Sequence, residues 1–486
     1  MNSPENTENL KERTARGLLW SILGNGTQQF VTMLIGIVLA RLLAVEDYGL
    51  VAMLTVFSII AGNLQESGFT SALAIKRDAR HADFNAVFWF SILVSATIYA
   101  LLFCCAPLIA RFNHAPQLTA LGRVIFLGFF ISSFGTAQAA WLFRHLKVRE
   151  KTSSQVMASI VSGCAGLAAA FAGWGPWALV AMDLCYKLTY TALVWYWSAW
   201  RPTFTLDLRP AWQMFGFGSR LLVTNILNTV NNQLLQSILG HFYQPQQVGH
   251  YSQANKWNTL GHSLLGGMIG SVAQPVLAKV EDDGNRQLRV MRKMLRFTSL
   301  MAFPAMFGMA LIAPEFIPLT IGDKWSFCVP YLQVLCLGGA FVPVNSVFSN
   351  LMVSRQRSDY YLYTTALFLV CQLGLVLAFA GGGDMLPLVY GITLLQPLWV
   401  VVLYVPVRRL LPVSLWTVLT DILPFLLAAA GSVAVGYYVT LAIDASWLRL
   451  FAKVVVTASA YCLTMWAARV AVFRECLVFV WSKVRK

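Results

Sequence analysis

Residues 85–110 read NAVFWFSILVSATIYALLFCCAPLIA, an apolar stretch without a single charged side chain. About 20 apolar residues are enough for a helix to cross the roughly 30 Å hydrocarbon core of a membrane. Because backbone amides in lipid must be paired within their own segment, such a stretch forms a helix rather than an isolated strand. The alternation in pieces of about ten residues that marks a membrane β-barrel does not occur in this sequence.

The rest of the chain repeats this pattern. Of its 486 residues, 57% are hydrophobic and 12% are charged, whereas soluble domains carry roughly 25% charged residues. We identify fourteen apolar stretches, at about 17–40, 48–72, 85–110, 120–143, 153–173, 177–200, 216–240, 250–278, 297–320, 329–353, 360–381, 386–407, 417–442 and 450–473. The two stretches that flank Trp174-Gly175-Pro176 have an alternative interpretation as one re-entrant unit. The sequence predicts an all-α, polytopic membrane protein with about fourteen transmembrane helices.

The basic residues predict the orientation. If the N-terminus is cytoplasmic, 28 of the 36 Lys and Arg residues lie on cytoplasmic segments and six lie at outer ends. Two more, Lys187 and Lys256, lie within apolar stretches. This division follows the positive-inside rule through every loop. It predicts a multi-pass membrane protein with both termini in the cytoplasm, and it assigns the net charge of +15 to the membrane surface rather than to nucleic-acid binding.

The loops exclude several classes of protein. The longest polar interruption, 279–296, and the outer loop 241–249 leave no room for the acceptor-binding domain of a polysaccharide polymerase or ligase. No phosphate-binding Gly-x4-Gly-Lys-Ser/Thr loop occurs. Glu281-Asp282-Asp283 is interpreted as a solvated turn rather than a metal site, and the cysteines lack the paired spacing of metal ligands. We therefore predict a transporter rather than an enzyme, with no cofactor and no metal.

An internal repeat supports transport, because many transporters are duplications with the site between the halves. An offset of 200 residues aligns three pairs: Asn25 with Asn225, Leu39 with Leu239, and Gly49 with Gly249. Two six-helix bundles and two further helices follow from this alignment. The predicted parts are a cytoplasmic segment 1–16, an N-lobe 17–200, a cytoplasmic linker 201–215, a C-lobe 216–410, two further helices in 411–473, and a cytoplasmic tail 474–486.

Several short motifs carry a family resemblance. They are Gly17-Leu18-Leu19-Trp20-Ser21, Leu39-Ala40-Arg41-Leu42-Leu43, Tyr48-Gly49, Gly249-His250-Tyr251-Ser252-Gln253-Ala254, Pro275-Val276-Leu277-Ala278 and Gly322-Asp323-Lys324-Trp325. With these motifs the chain resembles the polysaccharide transporter family, the Wzx-type oligosaccharide flippases of the multidrug/oligosaccharidyl-lipid/polysaccharide superfamily, and especially the colanic-acid-type exporters.

The resemblance implies a fold and a cargo. It implies two six-helix lobes that enclose a central cavity and work by alternating access. The implied cargo is an undecaprenyl-diphosphate-linked oligosaccharide that is moved from the cytoplasmic to the outer leaflet of the bacterial inner membrane for surface polysaccharide synthesis. The implied partners are this lipid-linked substrate, membrane lipids, and the polymerase and chain-length regulator of the same pathway.

Such a cargo needs a polar path, because an unpaired charge is very costly to bury in hydrocarbon. Three helix faces are rich in amides, which offer both donors and acceptors to sugar hydroxyls. The candidate substrate-binding residues on these faces are Asn25, Gln28, Gln29, Asn225, Asn228, Asn232, Gln236, Asn255, Asn258 and His262. The alternative interpretation of these faces is hydrogen bonding between packed helices.

Cations within or at the ends of the stretches are candidates for binding the diphosphate. Lys256 has no acidic residue within one helical turn, so it either binds diphosphate or extends to the outer interface. Arg220 lies at the cytoplasmic end of its stretch, where it captures diphosphate or anchors the helix at the interface. Arg41 is a gate candidate whose alternative role is to interact with a helix dipole.

Two further features are candidates for coupling or gating. Asp183 and Lys187 are spaced i, i+4 with the acid first, the favourable order for an ion pair. Such a pair is either structural or involved in coupling and substrate contact. Glu66, near the inner end of its stretch, is either a gate contact or an interfacial residue.

Rival functions predict other residues. A drug/cation antiporter of the same superfamily uses a membrane-embedded carboxylate, but the stretches 17–40, 216–240 and 250–278 contain no Asp or Glu. A lipid II-type flippase resembles a chain with several arginines deep in its cavity, and these are missing at mid-depth here. A polymerase or ligase, an enzyme of the same pathway, needs the long outer loop that this chain lacks.

Overall fold

The computed structural model describes residues 26–66, 73, 80–145, 147–205, 207–210, 238–280, 282–355, 357–379 and 383–475. Within these residues the regular structure is helical and no strand occurs. The chain divides into two compact units, Met1–Gly249 and His250–Lys486. The prediction of an all-α polytopic protein is confirmed. The predicted boundaries of the lobes and the linker stay predictions.

Among the described residues, unit 1 contains eight helices and the start of a ninth. They are α1 Gly26–Leu42, α2 Val45–Glu66, α3 His81–Phe112, α4 Leu118–Ile125, α5 Leu127–Ser133, α6 Thr136–Arg144, α7 Val148–Phe171, α8 Pro176–Trp197 and α9 Pro245–Lys279, whose first turn belongs to this unit. A bend of 41° separates α4–α5 from α6, so these three helices form either one broken span or a re-entrant loop.

Unit 2 holds the rest of α9 and seven further described α-helices. They are α10 Gly284–Ile321, α11 Cys328–Gly339, α12 Phe341–Ser354, α13 Ser358–Phe379, α14 Leu386–Leu410, α15 Leu415–Val439 and α16 Ser446–Ala467, with a 3-10 turn at Asp323–Trp325. Helix α10 packs against α11, α12, α15 and α16. It is therefore the central helix of unit 2.

The described helices coincide with the predicted apolar stretches. Among the described residues, nine segments are long and apolar enough to cross a membrane, or ten if the bent α4–α6 segment counts as one span. Each predicted stretch except 216–240 corresponds to a described helix or to consecutive helices that form one span, although α10 begins at Gly284 rather than near 297. Residues 216–237 lie outside the described residues.

The hairpin of α7 and α8 is relevant to whether the stretches that flank Trp174-Gly175-Pro176 are two spans or one re-entrant unit. Helix α7 has 24 residues and α8 has 22, so each is long enough to cross the membrane by itself. The two helices pack closely against each other and are joined by a four-residue turn, 172–175. The helix lengths favour two separate spans over one re-entrant unit, although α8 is not among the nine segments that are apolar enough to cross a membrane by themselves.

The first part of the predicted linker is docked on unit 1. The Asn85 side chain accepts a hydrogen bond from the Thr203 backbone amide (2.9 Å) and donates to the Thr205 carbonyl oxygen (2.7 Å). Trp89 donates its indole N–H to the Thr203 carbonyl oxygen at 2.8 Å. These bonds satisfy the backbone of an extended segment without a sheet partner, so 203–205 is held against α3.

Two glycines make a close helix crossing in unit 1. A Cβ atom on Gly49 of α2 would overlap the carbonyl oxygen of Pro245, and one on Gly249 of α9 would overlap the carbonyl oxygen of Val45. Each contact becomes the other when 200 is added to or subtracted from the residue numbers. The internal repeat therefore produces a symmetric crossing in which only glycine lets the backbones approach so closely.

We expect Gly49→Ala to destabilise the protein by about 2 kcal/mol or more, because the added methyl group meets backbone that cannot move aside like a side chain. The measurement is the free energy of unfolding of the purified protein in detergent. Gly62→Ala, on the same helix and with no atom within 4 Å of its added Cβ, is the matched control and should be neutral. Equal effects of the two substitutions would contradict the crossing.

Candidate functional site

One exposed face of α9 is polar. Lys256, Thr259 and Ser263 are all exposed, and their i, i+3, i+7 spacing places them on one side of the helix. Among the described side chains of α9, Leu264 is the one large hydrophobic residue that is as exposed as they are. Lys256 forms no hydrogen bond or ion pair with any residue that the structure describes.

The exposed faces of other helices are different. On α14 and α16 the exposed side chains include large hydrophobic residues along the whole helix: Tyr390, Leu394, Leu398, Val401 and Val405 on α14, and Phe451, Val454, Val455, Leu463 and Trp466 on α16. Such faces are typical of contact with lipid. Helix α9, at 35 residues, is not among the nine segments apolar enough to cross the membrane by themselves. Its exposed face is therefore suited to water and polar cargo rather than to lipid.

The predicted amides of α9 point in different directions. Asn258 is only 7% exposed and lies against Gly339 inside unit 2. Its position two residues from Lys256 turns it to nearly the opposite side of the helix. Asn255 and His262 are half-buried between these two sides. Asn258 is therefore turned into unit 2, where its buried Oδ1 accepts no hydrogen bond from the described residues, and Lys256 lies on the exposed side.

The predicted polar face of α1 meets α8 within unit 1. Gln28 donates a hydrogen bond from Nε2 to the hydroxyl oxygen of Tyr186 at 3.2 Å. Gln29, the next residue, is exposed. Arg41 is exposed in the last turn of α1, where it interacts with another residue.

Asp183 and Lys187 form the ion pair that their spacing indicates. Lys187 Nζ donates to Asp183 Oδ2 at 2.6 Å, and the two side chains are 20% and 35% exposed. The pair lies against Gly128 of α5, where a Cβ atom would meet both side chains. A pair that is closed internally and packed against a neighbouring helix has little charge left for cargo, which favours the structural alternative.

Under the transport role that the family resemblance implies, we expect the double variant Asp183→Asn/Lys187→Gln to give nearly the surface-polysaccharide output of the unchanged protein. The neutral side chains keep the shape and hydrogen-bonding capacity of a pair that contributes only about 1 kcal/mol when half-exposed. The measurement is polymer output at matched protein abundance. A large loss of export at normal abundance would assign the pair to coupling instead.

Seven predicted site residues lie where the structure gives no side-chain position. Residue Glu66 ends α2, but its side chain is outside the description. The other six, outside the described residues altogether, are Asn25, Arg220, Asn225, Asn228, Asn232 and Gln236. Their proposed roles in cargo binding and gating stay predictions.

The structure reveals a buried ion pair in unit 2 that sequence reasoning missed. Lys453 Nζ of α16 lies 2.7 and 2.8 Å from the two carboxylate oxygens of Glu315 on α10, and 3.2 Å from the Leu311 carbonyl oxygen. The Lys453 and Glu315 side chains are 6% and 7% exposed. Arg449 approaches the same carboxylate at 4.0 Å. This pair fixes α16 against α10.

A second missed cluster lies near the other end of α10. Asp421 of α15 is fully buried. It accepts hydrogen bonds from Arg292 (2.7 and 3.1 Å) and from Arg296 (2.5 Å). The i, i+4 spacing of the two arginines was a signal for a shared partner, but nothing in the sequence indicated that the partner lies on α15. Among the described residues, no group of three His, Cys, Asp or Glu side chains is arranged to hold a metal ion.

Comparison with known proteins identifies relatives whose names refer to the biosynthesis or transport of polysaccharides. The sequence pattern of the "Polysaccharide biosynthesis protein" family matches residues 38–330. The chain is 26% identical over 378 residues to lipopolysaccharide biosynthesis protein WzxC of Escherichia coli, covering 74% of each chain. It is 25% identical over 346 residues to succinoglycan biosynthesis transport protein ExoT of Rhizobium meliloti, covering 70% of this chain and 69% of the relative.

A solved structure has a similar fold. The lipid II flippase MurJ in an inward closed conformation superimposes with a TM-score of 0.75 at 14% sequence identity, over 95% of this chain and 100% of the other. The predicted family resemblance is confirmed by these matches. ExoT is named as a transport protein and MurJ as a flippase. These names agree with our prediction that the chain is not an enzyme.

Proposed function

The chain belongs to the polysaccharide biosynthesis protein family, and from this premise we propose that its cargo is an undecaprenyl-diphosphate-linked oligosaccharide. It is a multi-pass membrane protein and a flippase of polysaccharide biosynthesis. We infer that it moves this cargo from the cytoplasmic to the outer leaflet of the bacterial inner membrane by alternating access. The lipid-linked repeat unit is then available to a polymerase and a chain-length regulator on the outer side.

The polar exposed face of α9 carries the proposal. A diphosphate with attached sugars cannot enter hydrocarbon without pairing its charge, because the cost of burying an isolated ion is tens of kcal/mol. Lys256 supplies an ammonium group that no described residue neutralises. Thr259 and Ser263 add hydroxyl groups on the same face. The Ser263 hydroxyl donates to the Leu260 carbonyl oxygen at 3.3 Å, so its oxygen is available to sugars as an acceptor.

The sign of the charge distinguishes the cargo from that of a cation antiporter. The exposed face of α9 carries an ammonium group, and residues 250–278 contain no Asp or Glu. A protein that binds cationic drugs, protons or sodium needs a carboxylate at such a position. The Lys256 face therefore supports an anionic headgroup as cargo.

A deletion strain tests the proposed direction of transport. Without the protein, lipid-linked repeat units should accumulate with their sugars on the cytoplasmic side, and surface polymer should disappear. A plasmid copy of the gene should reverse both effects. Accumulation of repeat units whose sugars already face outward would contradict the proposal and point to polymerisation as the missing step.

A further inference from the structure

Helix α10 presents a row of cations to a pocket at its N-terminal third. Arg289, Arg292, Lys293 and Arg296 have i, i+3, i+4, i+7 spacing, which places them on one face of the helix. They line a pocket of about 230 Å³. Its other wall is the segment after α16, with Ala471, Val472 and Glu475.

The cations of this pocket are only partly neutralised. Asp421 holds Arg292 and Arg296, and Glu475 pairs with Lys293 at 2.5 Å. Arg289 is exposed and forms no ion pair with any described residue. Four cations therefore face two carboxylates, which leaves a net charge of +2 at one pocket.

Two guanidinium groups of the pocket are held in position before any ligand binds. The fully buried Asp421 carboxylate fixes both guanidinium groups while using two N–H donors of Arg292 and one of Arg296. Each guanidinium has five N–H donors, so donors remain for further oxygen atoms. Guanidinium groups match phosphate oxygens in geometry and form strong charge-assisted hydrogen bonds with them.

The surroundings of the pocket are those of a membrane surface. Trp466 lies in the last turn of α16, five residues before Ala471, and is 64% exposed. Trp416 lies five residues before Asp421 on α15 and is 71% exposed. Tryptophans are enriched where the hydrocarbon meets the headgroups. The basic-residue distribution assigns this side to the cytoplasm.

We propose that this pocket binds the phosphate headgroup of an anionic phospholipid from the cytoplasmic leaflet. The phosphate oxygens contact Arg289, Lys293 and the free donors of Arg292 and Arg296, while the acyl chains lie along the exposed apolar faces of α15 and α16. Basic pockets between transmembrane helices on the cytoplasmic side are suited to such headgroups. The lipid site is separate from the Lys256 face and does not depend on the proposed cargo.

Lipid titration of the full-length protein in detergent, followed by native mass spectrometry, tests this site. The probes are cardiolipin, phosphatidylglycerol, phosphatidylcholine, inorganic diphosphate and undecaprenyl diphosphate. The test variant is Arg289→Gln/Lys293→Gln, which removes two exposed cations and leaves the Asp421 contacts intact. The matched control is Arg408→Gln/Arg409→Gln, two exposed cations at the end of α14 that are outside the pocket.

We expect the unchanged protein to bind cardiolipin and phosphatidylglycerol in preference to phosphatidylcholine. At about 1 kcal/mol per cation, the test variant should bind the anionic phospholipids about 30-fold more weakly. The control should bind them as the unchanged protein does. Equal weakening in both variants, or none in the test variant, would overturn the site.

The other probes identify the source of the phosphate. Displacement of the phospholipid by inorganic diphosphate at similar concentration would mean a site for free anions and would overturn the lipid proposal. Stronger binding of undecaprenyl diphosphate in the same pocket would assign the pocket to the cargo and would also overturn it. A failure of the phospholipid proposal leaves the Lys256 proposal intact, because the test variant does not touch α9.

Discussion

Replacement of Lys256 by Met should reduce export of surface polysaccharide by about 10-fold to 150-fold while protein abundance stays normal. A hydrogen bond to a charged group contributes about 1.5–3 kcal/mol, and each 1.4 kcal/mol corresponds to a factor of ten. Methionine keeps an unbranched apolar stem of nearly the same length and removes the charge together with its N–H donors. Because Lys256 is exposed, the substitution breaks no hydrogen bond or ion pair with the residues that the structure describes.

Two further variants separate the charge of Lys256 from its position. Lys256→Arg should retain much of the export, because it keeps the positive charge. Arg408→Met, which removes an exposed cation at the end of α14, should export normally. Normal polymer output from Lys256→Met would remove this residue from the cargo path and favour its alternative role as an interfacial anchor.

Glu315→Gln should lower the free energy of unfolding by about 3–5 kcal/mol, because it leaves the Lys453 ammonium group buried without a counter-charge. Unfolding of the purified protein in mixed detergent micelles measures the change. The matched control is Glu475→Gln, which breaks the ion pair with Lys293, where both side chains are more than half exposed. Exposed pairs contribute about 0–1 kcal/mol, so the control should be close to neutral.

The double variant Glu315→Leu/Lys453→Met completes this test. With both charges removed, the desolvation cost disappears together with the attraction, and apolar side chains of similar volume fill the space. Stability should return close to that of the unchanged protein. A double variant as unstable as Glu315→Gln would contradict the ion-pair account and assign the effect to packing at the contact between α10 and α16.

Most of the helices were predictable from hydropathy, because the membrane imposes length and apolarity on each span. The stretch 85–110 corresponds to α3, His81–Phe112, and 386–407 corresponds to α14, Leu386–Leu410. The start of α10 was predicted too late, since Gly284–Arg296 is helical but rich in arginine. Hydropathy detects the part of a helix in lipid and not its extension into water.

Contacts between distant helices were not predictable. Glu315 and Lys453 are separated by 138 residues in the sequence, and no spacing rule connects them. The sequence places Lys453 at an outer end, whereas it is buried within α16. Its partner is determined by the way α16 packs on α10, and that information exists only in the fold.

The polar face of α9 was predictable only in part. Attention to amides identified Asn255 and Asn258, but Asn258 is turned into unit 2. The hydroxyls of Thr259 and Ser263, at i+3 and i+7 from Lys256, were an available signal for the exposed side. Short hydroxyl side chains are common inside membrane helices, where they bond to their own backbone, so the sequence alone gives them little weight.

Reconstitution into liposomes tests the central claim most directly. Vesicles are prepared with a fluorescent undecaprenyl-diphosphate-linked oligosaccharide in both leaflets, and a membrane-impermeant quencher reports which headgroups are accessible from outside. With the unchanged protein, the quencher should reach the whole pool, whereas with Lys256→Met or in protein-free vesicles it should reach only the outer leaflet over the same time. If the unchanged protein exposes no more than the protein-free vesicles do, the chain does not move this cargo by itself.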